Sequence, residues 1–91
     1  MRIECDAAKN RRNIKARGIS FDSAMELLGG PHVMQRDARR DYGEPRVIAY
    51  GLIGGRMHVC VYTLRGDVCR IISLRKANRR EIDAYGAYVL G

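Results

Sequence analysis

The stretch that decides the fold is VIAYGLIGGRMHVCVYT, which runs from Val47 to Thr63. Its first part, Val47 to Ile53, is apolar and rich in β-branched residues, which is typical of a buried strand. Gly54-Gly55 is a strong signal for a tight hairpin. His58 to Thr63 then predicts a second strand, and a connection this short requires the two strands to pair antiparallel.

The segments on either side extend this meander. Arg65-Gly66-Asp67 predicts another turn, and Val68 to Leu74 predicts a third strand. On the N-terminal side, Val33 to Arg36 is a candidate edge strand, and the polar, turn-rich segment from Asp37 to Pro45 predicts a loop. We therefore expect a sheet of three or four strands.

The remaining segments predict one short strand and three helices. Asp6, Ser20 and Asn78 are good N-caps, and Asn78-x-x-Glu81 is a capping box. The predicted elements are a strand from Met1 to Cys5 and helices over Ala7 to about Ala16, Phe21 to about Leu28 and Asn78 to about Val89. Gly18 and Gly29-Gly30-Pro31 end the first two helices.

This order predicts a single α+β domain over residues 1–91. A short N-terminal strand is followed by two helices, an antiparallel β-meander and a C-terminal helix. We expect the first helices to pack on one face of the sheet, which leaves the other face, or its rim, to hold a ligand.

The composition is that of a small, basic, globular protein. The 91 residues include 17 Lys and Arg against 10 Asp and Glu, a formal net charge of +7. Such a domain attracts polyanions, so RNA, DNA or an acidic protein are the expected partners.

Because no apolar run could span a membrane and the N-terminus lacks the apolar core of a signal peptide, we expect a cytoplasmic protein. The three cysteines lack CxxC spacing, which favours reduced thiols over disulfides or zinc ligands.

Motifs spread along the chain resemble one known family. The first half contains Ile3-Glu4-x-Asp6-x-x-Lys9-Asn10-x-x-Asn13 and Gly18-Ile19-Ser20-Phe21-x-x-Ala24. The second half contains Glu44-x-Arg46, Gly51-Leu52, Tyr62-Thr63-x-Arg65-Gly66, Arg70-Ile71-Ile72-Ser73-x-Arg75-x-Ala77, Glu81 and Tyr85. In this order and spacing the motifs are similar to those of the BrnT toxins, and the string from Arg70 to Ala77 is the most specific of them.

The resemblance implies a ribonuclease toxin with a RelE-like fold. It also implies a neutralising BrnA-like antitoxin with a DNA-binding region, so that contact with DNA is indirect, and a toxin dimer within the toxin–antitoxin complex. Two positions depart from the family pattern: Cys5 stands where Trp is usual, and Ala16-Arg17 where Lys-His is usual. Arg17 cannot act as a base, because a guanidinium stays protonated, but it can bind phosphate.

RNA cleavage can proceed without a metal or cofactor, because the 2′-hydroxyl is a built-in nucleophile. The sequence has no acidic cluster that would hold a metal, so we expect neither metal nor cofactor. The transition state needs donors to the phosphate oxygens, and arginine suits this role. We expect catalytic roles for Arg65, Arg75, Lys9 and Glu81, and RNA contacts from Arg46, Arg70, Arg17, Tyr85 and Arg79.

Each candidate has a plainer structural alternative. An arginine of a basic protein often lies on the surface in contact with solvent and has no specific function. The capping box alone could account for Glu81, and Tyr85 could pack against the sheet.

Side-chain alternation predicts the placement of the two main arginines. It places Ile71, Ser73 and Arg75 on one face of the third meander strand. Arg65 lies at a hairpin end, from which we expect it to share a concave rim with Arg75.

Two other functions are compatible with the sequence. The chain could be a catalytically weak or inactive basic module that binds RNA or the antitoxin, since Cys5 and Arg17 depart from the family pattern. A DNA-binding regulator fits less well, because there is no helix-turn-helix pattern and the basic residues are spread over strands and loops. Growth arrest on expression of the chain alone distinguishes a toxin from a binding module.

Overall fold

One mixed sheet of five strands forms the centre of the computed structural model, which describes residues 2–91. The elements in chain order are β1 Arg2–Cys5, α1 Ala7–Arg17, a 3₁₀ turn Phe21–Ser23, α2 Ala24–Gly29, β2 His32–Arg36, β3 Val47–Ile53, β4 Arg56–Arg65, β5 Val68–Lys76 and α3 Arg79–Leu90. The strands lie in the order β1-β5-β4-β3-β2. The predicted α+β class and order of elements are confirmed.

The expected number of strands, three or four, is wrong because β1 and β2 both join the meander. β2 pairs antiparallel with β3, and β1 pairs parallel with β5, where Ile3 lies opposite Cys69. Parallel strands need a long crossover between them, and here most of the domain serves as that crossover. A pairing between such distant segments leaves no local sequence pattern. Met1, the first residue of the predicted strand, lies outside the described residues.

The helix ends follow the predicted capping signals. The Asp6 carboxylate accepts hydrogen bonds of 2.9 and 3.0 Å from two backbone N–H groups in the first turn of α1. Gly18 ends α1 in a left-handed conformation with a φ of 70°, which glycine adopts without steric cost. Asn78 and Glu81 form the predicted capping box of α3. In the part of the chain that the structure describes, no helix has the length and apolar character of a membrane span.

The predicted second helix, Phe21 to about Leu28, begins as a 3₁₀ turn and continues as α2. The Ser20 hydroxyl accepts a 3.2 Å hydrogen bond from the Asp22 backbone N–H, which closes the tight turn. The Ala24 backbone N–H is shared between the carbonyl oxygens of Phe21 and Asp22. The cap was therefore predictable, whereas the 3₁₀ geometry of the turn was not.

A bulge in β5 overturns the predicted alternation of that strand. The register with β4 jumps by one residue, so that Ile72 has no partner. An unpaired residue of this kind reverses the faces of all residues that follow it. Ile71 and Leu74 therefore pack on the same side of the sheet, whereas Arg75 pairs with a β4 residue on the opposite side. The prediction that Ile71 shares a face with Arg75 is wrong.

The two faces of the sheet carry separate apolar cores. The first core, beneath α2 and the 3₁₀ turn, includes Phe21, Leu27, Cys60, Ile71 and Leu74. The second core, beneath α3, contains Tyr50, Met57, Val59, Ala77 and Val89. Because β4 contributes to both cores, it is the central structural element of the domain.

Hydrogen bonds hold α1 in place, since none of its side chains is buried. The Asn13 Nδ2 group donates to the carbonyl oxygens of Ile19 and Leu74 at 2.9 and 3.0 Å. The Phe21 backbone N–H donates to Asn10 Oδ1 at 2.8 Å. Asn10 and Asn13 thus attach α1 to β5 and to the 3₁₀ turn. Both asparagines belong to the motif that runs from Ile3 to Asn13, and their role there is structural.

The cysteines are free thiols, as predicted. Burial raises the pKa of Cys60 to about 12 and also raises the pKa of Cys69. Both thiols are therefore protonated at neutral pH and behave as small apolar side chains.

Gly51→Ala is expected to lower the free energy of unfolding by about 1–3 kcal/mol, the usual cost of overpacking a core. A Cβ at Gly51 would lie 2.9 Å from Leu27 Cγ and 3.0 Å from His32 Cβ, so α2 or β2 would have to shift. Denaturant unfolding followed by circular dichroism measures the change.

Gly86→Ala is the matched control for this substitution. A Cβ there would make only ordinary contacts, the nearest at 3.6 Å, and alanine stabilises a helix interior by about 0.5–1 kcal/mol relative to glycine. The two variants should therefore change stability in opposite directions, and a Gly51→Ala protein as stable as wild type contradicts this account of the packing.

Candidate active site

A cavity of about 430 Å³ lies on the α3 side of the sheet, beside the second core. We call it the central cavity. Its apolar floor includes Ile48, Val59 and Val61 from β3 and β4, and its polar walls come from β2, the loop that follows β2, β5 and α3. An apolar floor with a few converging polar groups is the usual form of a ligand site.

A two-pronged ion pair between Arg75 and Glu81 lies in the wall of this cavity. Arg75 Nη1 and Nη2 donate to the two Glu81 carboxylate oxygens at 2.7 and 2.8 Å. The Arg75 and Glu81 side chains are 37% and 16% exposed, and partial exclusion of water strengthens hydrogen bonds between charged groups. The hydrogen bonds from Arg75 hold the pKa of Glu81 below its usual value, so the carboxylate is ionised at neutral pH.

The ion pair leaves one edge of the Arg75 guanidinium unused. The contacts of Arg75 with Glu81 and with the Lys76 carbonyl oxygen involve only its Nη atoms. Its Nε has no hydrogen-bond partner among residues 2–91. Nε and one Nη of a guanidinium form a second two-donor edge, whose geometry matches two oxygens of a phosphate. Glu81 thus fixes the arginine, and the edge formed by Nε and Nη2 can still donate to another group.

A stacked pair of tyrosines forms another part of the site. The ring centroids of Tyr50 and Tyr85 are 4.1 Å apart, with an angle of 23° between the planes. Gln35 bridges their hydroxyls, because its Nε2 donates to the Tyr50 oxygen at 3.0 Å and its Oε1 accepts from the Tyr85 hydroxyl at 3.3 Å. Burial, followed by the neighbouring Tyr85, raises the pKa of Tyr50. Tyr85 therefore packs behind two residues that line the cavity, with its ring on Tyr50 and its hydroxyl on Gln35.

The loop wall of the cavity is fixed by a second ion pair. Arg39 Nε and Nη2 donate to the two carboxylate oxygens of Asp37, both at 2.7 Å. The Asp37 carboxylate is inaccessible to solvent, whereas the Arg39 side chain is 69% exposed. Hydrogen bonds from Arg39 lower the pKa of Asp37 to about 2. Since the Asp37 backbone N–H also donates to the Arg46 carbonyl oxygen at 2.8 Å, the two ends of the loop are joined.

Arg65 does not share a rim with Arg75, contrary to expectation. Arg75 pairs with Val59, six residues before Arg65 on β4, which corresponds to about 20 Å of strand. Arg65 lies at the tip of the β4–β5 hairpin, where its Nη2 is 3.3 Å from Glu44 Oε2. Arg75 lies near the open end of the same hairpin, so the hairpin itself separates the two side chains.

The other arginine candidates are also dispersed. Arg46 stacks over the Tyr42 ring, with its Cζ 4.0 Å from the ring centroid. Arg70 pairs with Glu4 at 2.9 Å, next to β1. Arg79 is 89% exposed on α3 and lies 3.3 Å from Asp83. None of these three lines the central cavity.

Lys9 and Arg17 both project from α1. They line a separate cavity of about 330 Å³ at the sheet edge, which also contains Ser73 of β5. Of the four predicted catalytic residues, the structure thus brings only Arg75 and Glu81 together, and Tyr85 is the predicted RNA-contact residue that lies beside them.

Several residues of the central cavity were absent from the sequence-based predictions. Gln35, Arg36, Asp37, Arg39 and Tyr50 all line it. Tyr50 lies in an apolar strand and is indistinguishable there from a core residue. The only feature of the sequence that could have pointed to the loop residues is the high density of charged side chains from Arg36 to Arg40.

A protein-family model described as the ribonuclease toxin BrnT of type II toxin–antitoxin systems matches residues 6–81. The chain belongs to the BrnT family. The matched residues run from the N-cap of α1 to Glu81 and so include both members of the Arg75–Glu81 pair. No curated protein matches the chain. As a BrnT ribonuclease toxin, the protein is an endoribonuclease that acts on RNA and has an antitoxin partner.

Acid should remove the stabilisation that this BrnT protein gains from the Asp37–Arg39 pair. The folded-state pKa of Asp37, about 2, lies below its usual value of 3.8, so the contribution is complete above pH 4 and declines as the pH falls towards 2. Asp37→Asn should therefore be less stable than wild type at pH 7, and the difference in melting temperature should shrink below pH 4. Asp67→Asn, in an exposed turn, is the control, and a gap for Asp37→Asn that persists at pH 2 rules out this ionic contribution.

Proposed function

We propose that this BrnT protein is a metal-independent endoribonuclease toxin that cleaves RNA through the substrate's own 2′-hydroxyl. We place the reacting phosphodiester in the central cavity. The observation that carries the proposal is the unused two-donor edge of Arg75, whose opposite edge is fixed by Glu81.

The proposed reaction uses Arg75 to stabilise developing charge. The 2′-hydroxyl loses its proton to solvent as its oxygen attacks the neighbouring phosphorus, and the bond to the 5′-oxygen breaks. The departing 5′-oxygen takes up a proton from solvent, so that a cyclic phosphate and a 5′-hydroxyl result. Negative charge grows on the non-bridging oxygens during the attack, where Nε and Nη2 of Arg75 can donate. One well-placed donor of this kind contributes about 10²–10³ in rate. The exposed Arg39, held by Asp37 at the rim of the cavity, can offer its Nη1 group as a further donor, since only its Nε and Nη2 contact Asp37.

Glu81 acts in this proposal as a positioning residue. Both of its oxygens accept from Arg75, and Oε1 also accepts from the Asn78 backbone at 2.9 Å. A carboxylate with a lowered pKa is a poor proton acceptor at neutral pH, since a general base works best with a pKa near the working pH. Geometry and charge therefore favour fixation of Arg75 over the role of general base.

The remaining candidates are assigned to the flanking parts of the RNA. Arg65, Arg46, Arg70 and Arg79 are dispersed over the surface, and Lys9 and Arg17 lie on α1. From these positions the cationic side chains could contact phosphates on either side of the cleaved bond, because every phosphate along the RNA strand carries a negative charge that attracts them. Tyr85 would contact RNA through its hydroxyl, which now donates to the cavity residue Gln35 at 3.3 Å.

The proposed partners follow from the family. We propose a BrnA-like antitoxin that covers the basic surface, a toxin dimer in the toxin–antitoxin complex, DNA contact only through the antitoxin, and a cytoplasmic location. The alternative, a weak or inactive module that binds RNA or antitoxin, is supported by Arg17, which replaces a residue capable of proton transfer with a permanent cation.

Arg75→Ala should relieve the growth arrest caused by expression of the chain alone and slow RNA cleavage in vitro by about 10²–10³. Arg75→Lys should rescue only part of this loss, because an ammonium cannot form two parallel hydrogen bonds. Arg56→Ala, at the exposed start of β4, is the control for the loss of one positive charge. A folded Arg75→Ala protein that remains as toxic as wild type would falsify the proposed site, and a wild type that causes no arrest and cleaves no RNA favours the inactive module.

Glu81→Gln separates positioning from proton transfer. The amide oxygen can still cap α3, but the two-pronged charged contact with Arg75 is lost. We expect cleavage to fall by at least tenfold, while the dependence of the cleavage rate on pH keeps its shape. If instead the acidic limb of the pH–rate profile disappears, Glu81 is the general base and the positioning role is wrong.

A further inference from the structure

A second, larger cavity adjoins the central cavity. Its volume is about 580 Å³, and it is lined entirely by residues 36–45, that is, by the end of β2 and the loop that follows. We call it the loop cavity. Arg36, Asp37 and Ala38 line both cavities. A ligand that extends out of the central cavity past these residues would therefore enter the loop cavity.

The carboxylates of the loop cavity are already engaged. Asp37 pairs with Arg39, and Glu44 pairs with Arg65 across the mouth of the loop. Asp41 Oδ1 accepts a 2.8 Å hydrogen bond from the Gly43 backbone N–H. The negative charges are thus taken up within the protein.

The arginines in and next to this cavity are not engaged in the same way. Arg36, Arg40 and Arg46 have no carboxylate within 4.0 Å among residues 2–91. Arg46 Nε is also buried without a hydrogen-bond partner in the described structure. Unneutralised guanidinium groups around a concave surface attract an anionic ligand.

An aromatic ring lies among these arginines. The Cζ atoms of Arg46 and Arg40 lie 4.0 and 5.0 Å from the centroid of the half-buried Tyr42 ring. Arg46 is held tightly, with its Nε buried, whereas Arg40 is exposed and makes the looser contact. Both guanidinium groups thus lie over the face of the ring, and unpaired bases stack on aromatic rings and on guanidinium planes of this kind.

We propose that the loop cavity binds a nucleotide of single-stranded RNA next to the one held at Arg75. Its base stacks on the exposed Arg40 guanidinium, which lies over the Tyr42 ring, and Arg36 and Arg46 neutralise the adjoining phosphate. The strand is single because a base must be free of its own helix to stack there. Because every base can stack in this way, the site increases the affinity for RNA without selecting a particular sequence. The identity of the ligand as RNA rests on the proposed function.

Tyr42→Leu tests the stacking contact, and Tyr42→Phe is its conservative partner. The probe is a fluorescein-labelled, 2′-O-methyl RNA hexanucleotide, which cannot be cleaved, and binding is followed by fluorescence anisotropy. Loss of one stacked base, about 1–3 kcal/mol, corresponds to a Kd about 5- to 150-fold higher. Tyr42→Phe should bind within about twofold of wild type, as should Tyr88→Leu, whose tyrosine is 76% exposed on α3.

Arg36→Ala tests the proposed phosphate contact beside the loop cavity. The slope of log Kd against log salt concentration should fall by about 0.7, the value for one phosphate contact on a single strand. Tyr42→Leu should leave this slope unchanged, and Arg56→Ala serves as the control for a distant arginine. Circular dichroism and melting temperature establish that each variant is folded.

The outcomes separate this inference from the proposed active site. If Tyr42→Leu binds the hexanucleotide as tightly as wild type, the nucleotide site is wrong, even where Arg75→Ala abolishes cleavage. If wild type fails to bind the probe at low salt, the site is equally overturned. If only the antitoxin is bound more weakly by Tyr42→Leu, the loop is a protein-docking surface instead. Weakened RNA binding together with an Arg75→Ala variant of undiminished activity supports the nucleotide site and rejects the proposed active site.

Discussion

The structure depends on β4 being covered on both faces. From Met57 to Thr63 this strand is buried, and alternate side chains enter the two cores, Cys60 the first and Val59 the second. A chain of 91 residues can bury only a limited apolar area on folding. Because the two cores share β4, this one strand contributes buried side chains to both of them. The same arrangement leaves part of the α3 side without a helix above it, and that part is the central cavity.

The bulge at Ile72 connects this architecture to the candidate active site. With regular alternation, Arg75 would point towards the first core, where a charged side chain has no partner and its burial is costly. The extra residue turns Arg75 to the α3 side, where the first turn of α3 supplies Glu81. A capping-box residue thereby also holds an arginine, so that the start of a helix and the geometry of the site depend on the same carboxylate.

Local signals predicted most of the fold and only part of the site. Gly54-Gly55, Asp6 and Asn78 act through their immediate neighbours, and each produced the expected turn or cap. The parallel pairing of β1 and the bulge at Ile72 arise from contacts between distant segments, which no short pattern encodes. The same distinction applies to the site: Arg75 and Glu81 were predictable from a specific motif. Gln35 and Tyr50 become part of the site only through the lateral order of the strands.

The anchoring of α1 has a consequence for how such a protein can change over time. Its attachment uses two asparagine amides and no buried side chain, so the cationic outer surface of this helix carries almost none of the folding free energy. Substitutions there can alter the positive charge that the protein presents to a polyanion with little effect on stability. The charge of this surface can therefore vary while the sheet, its two cores and the Arg75–Glu81 pair stay the same.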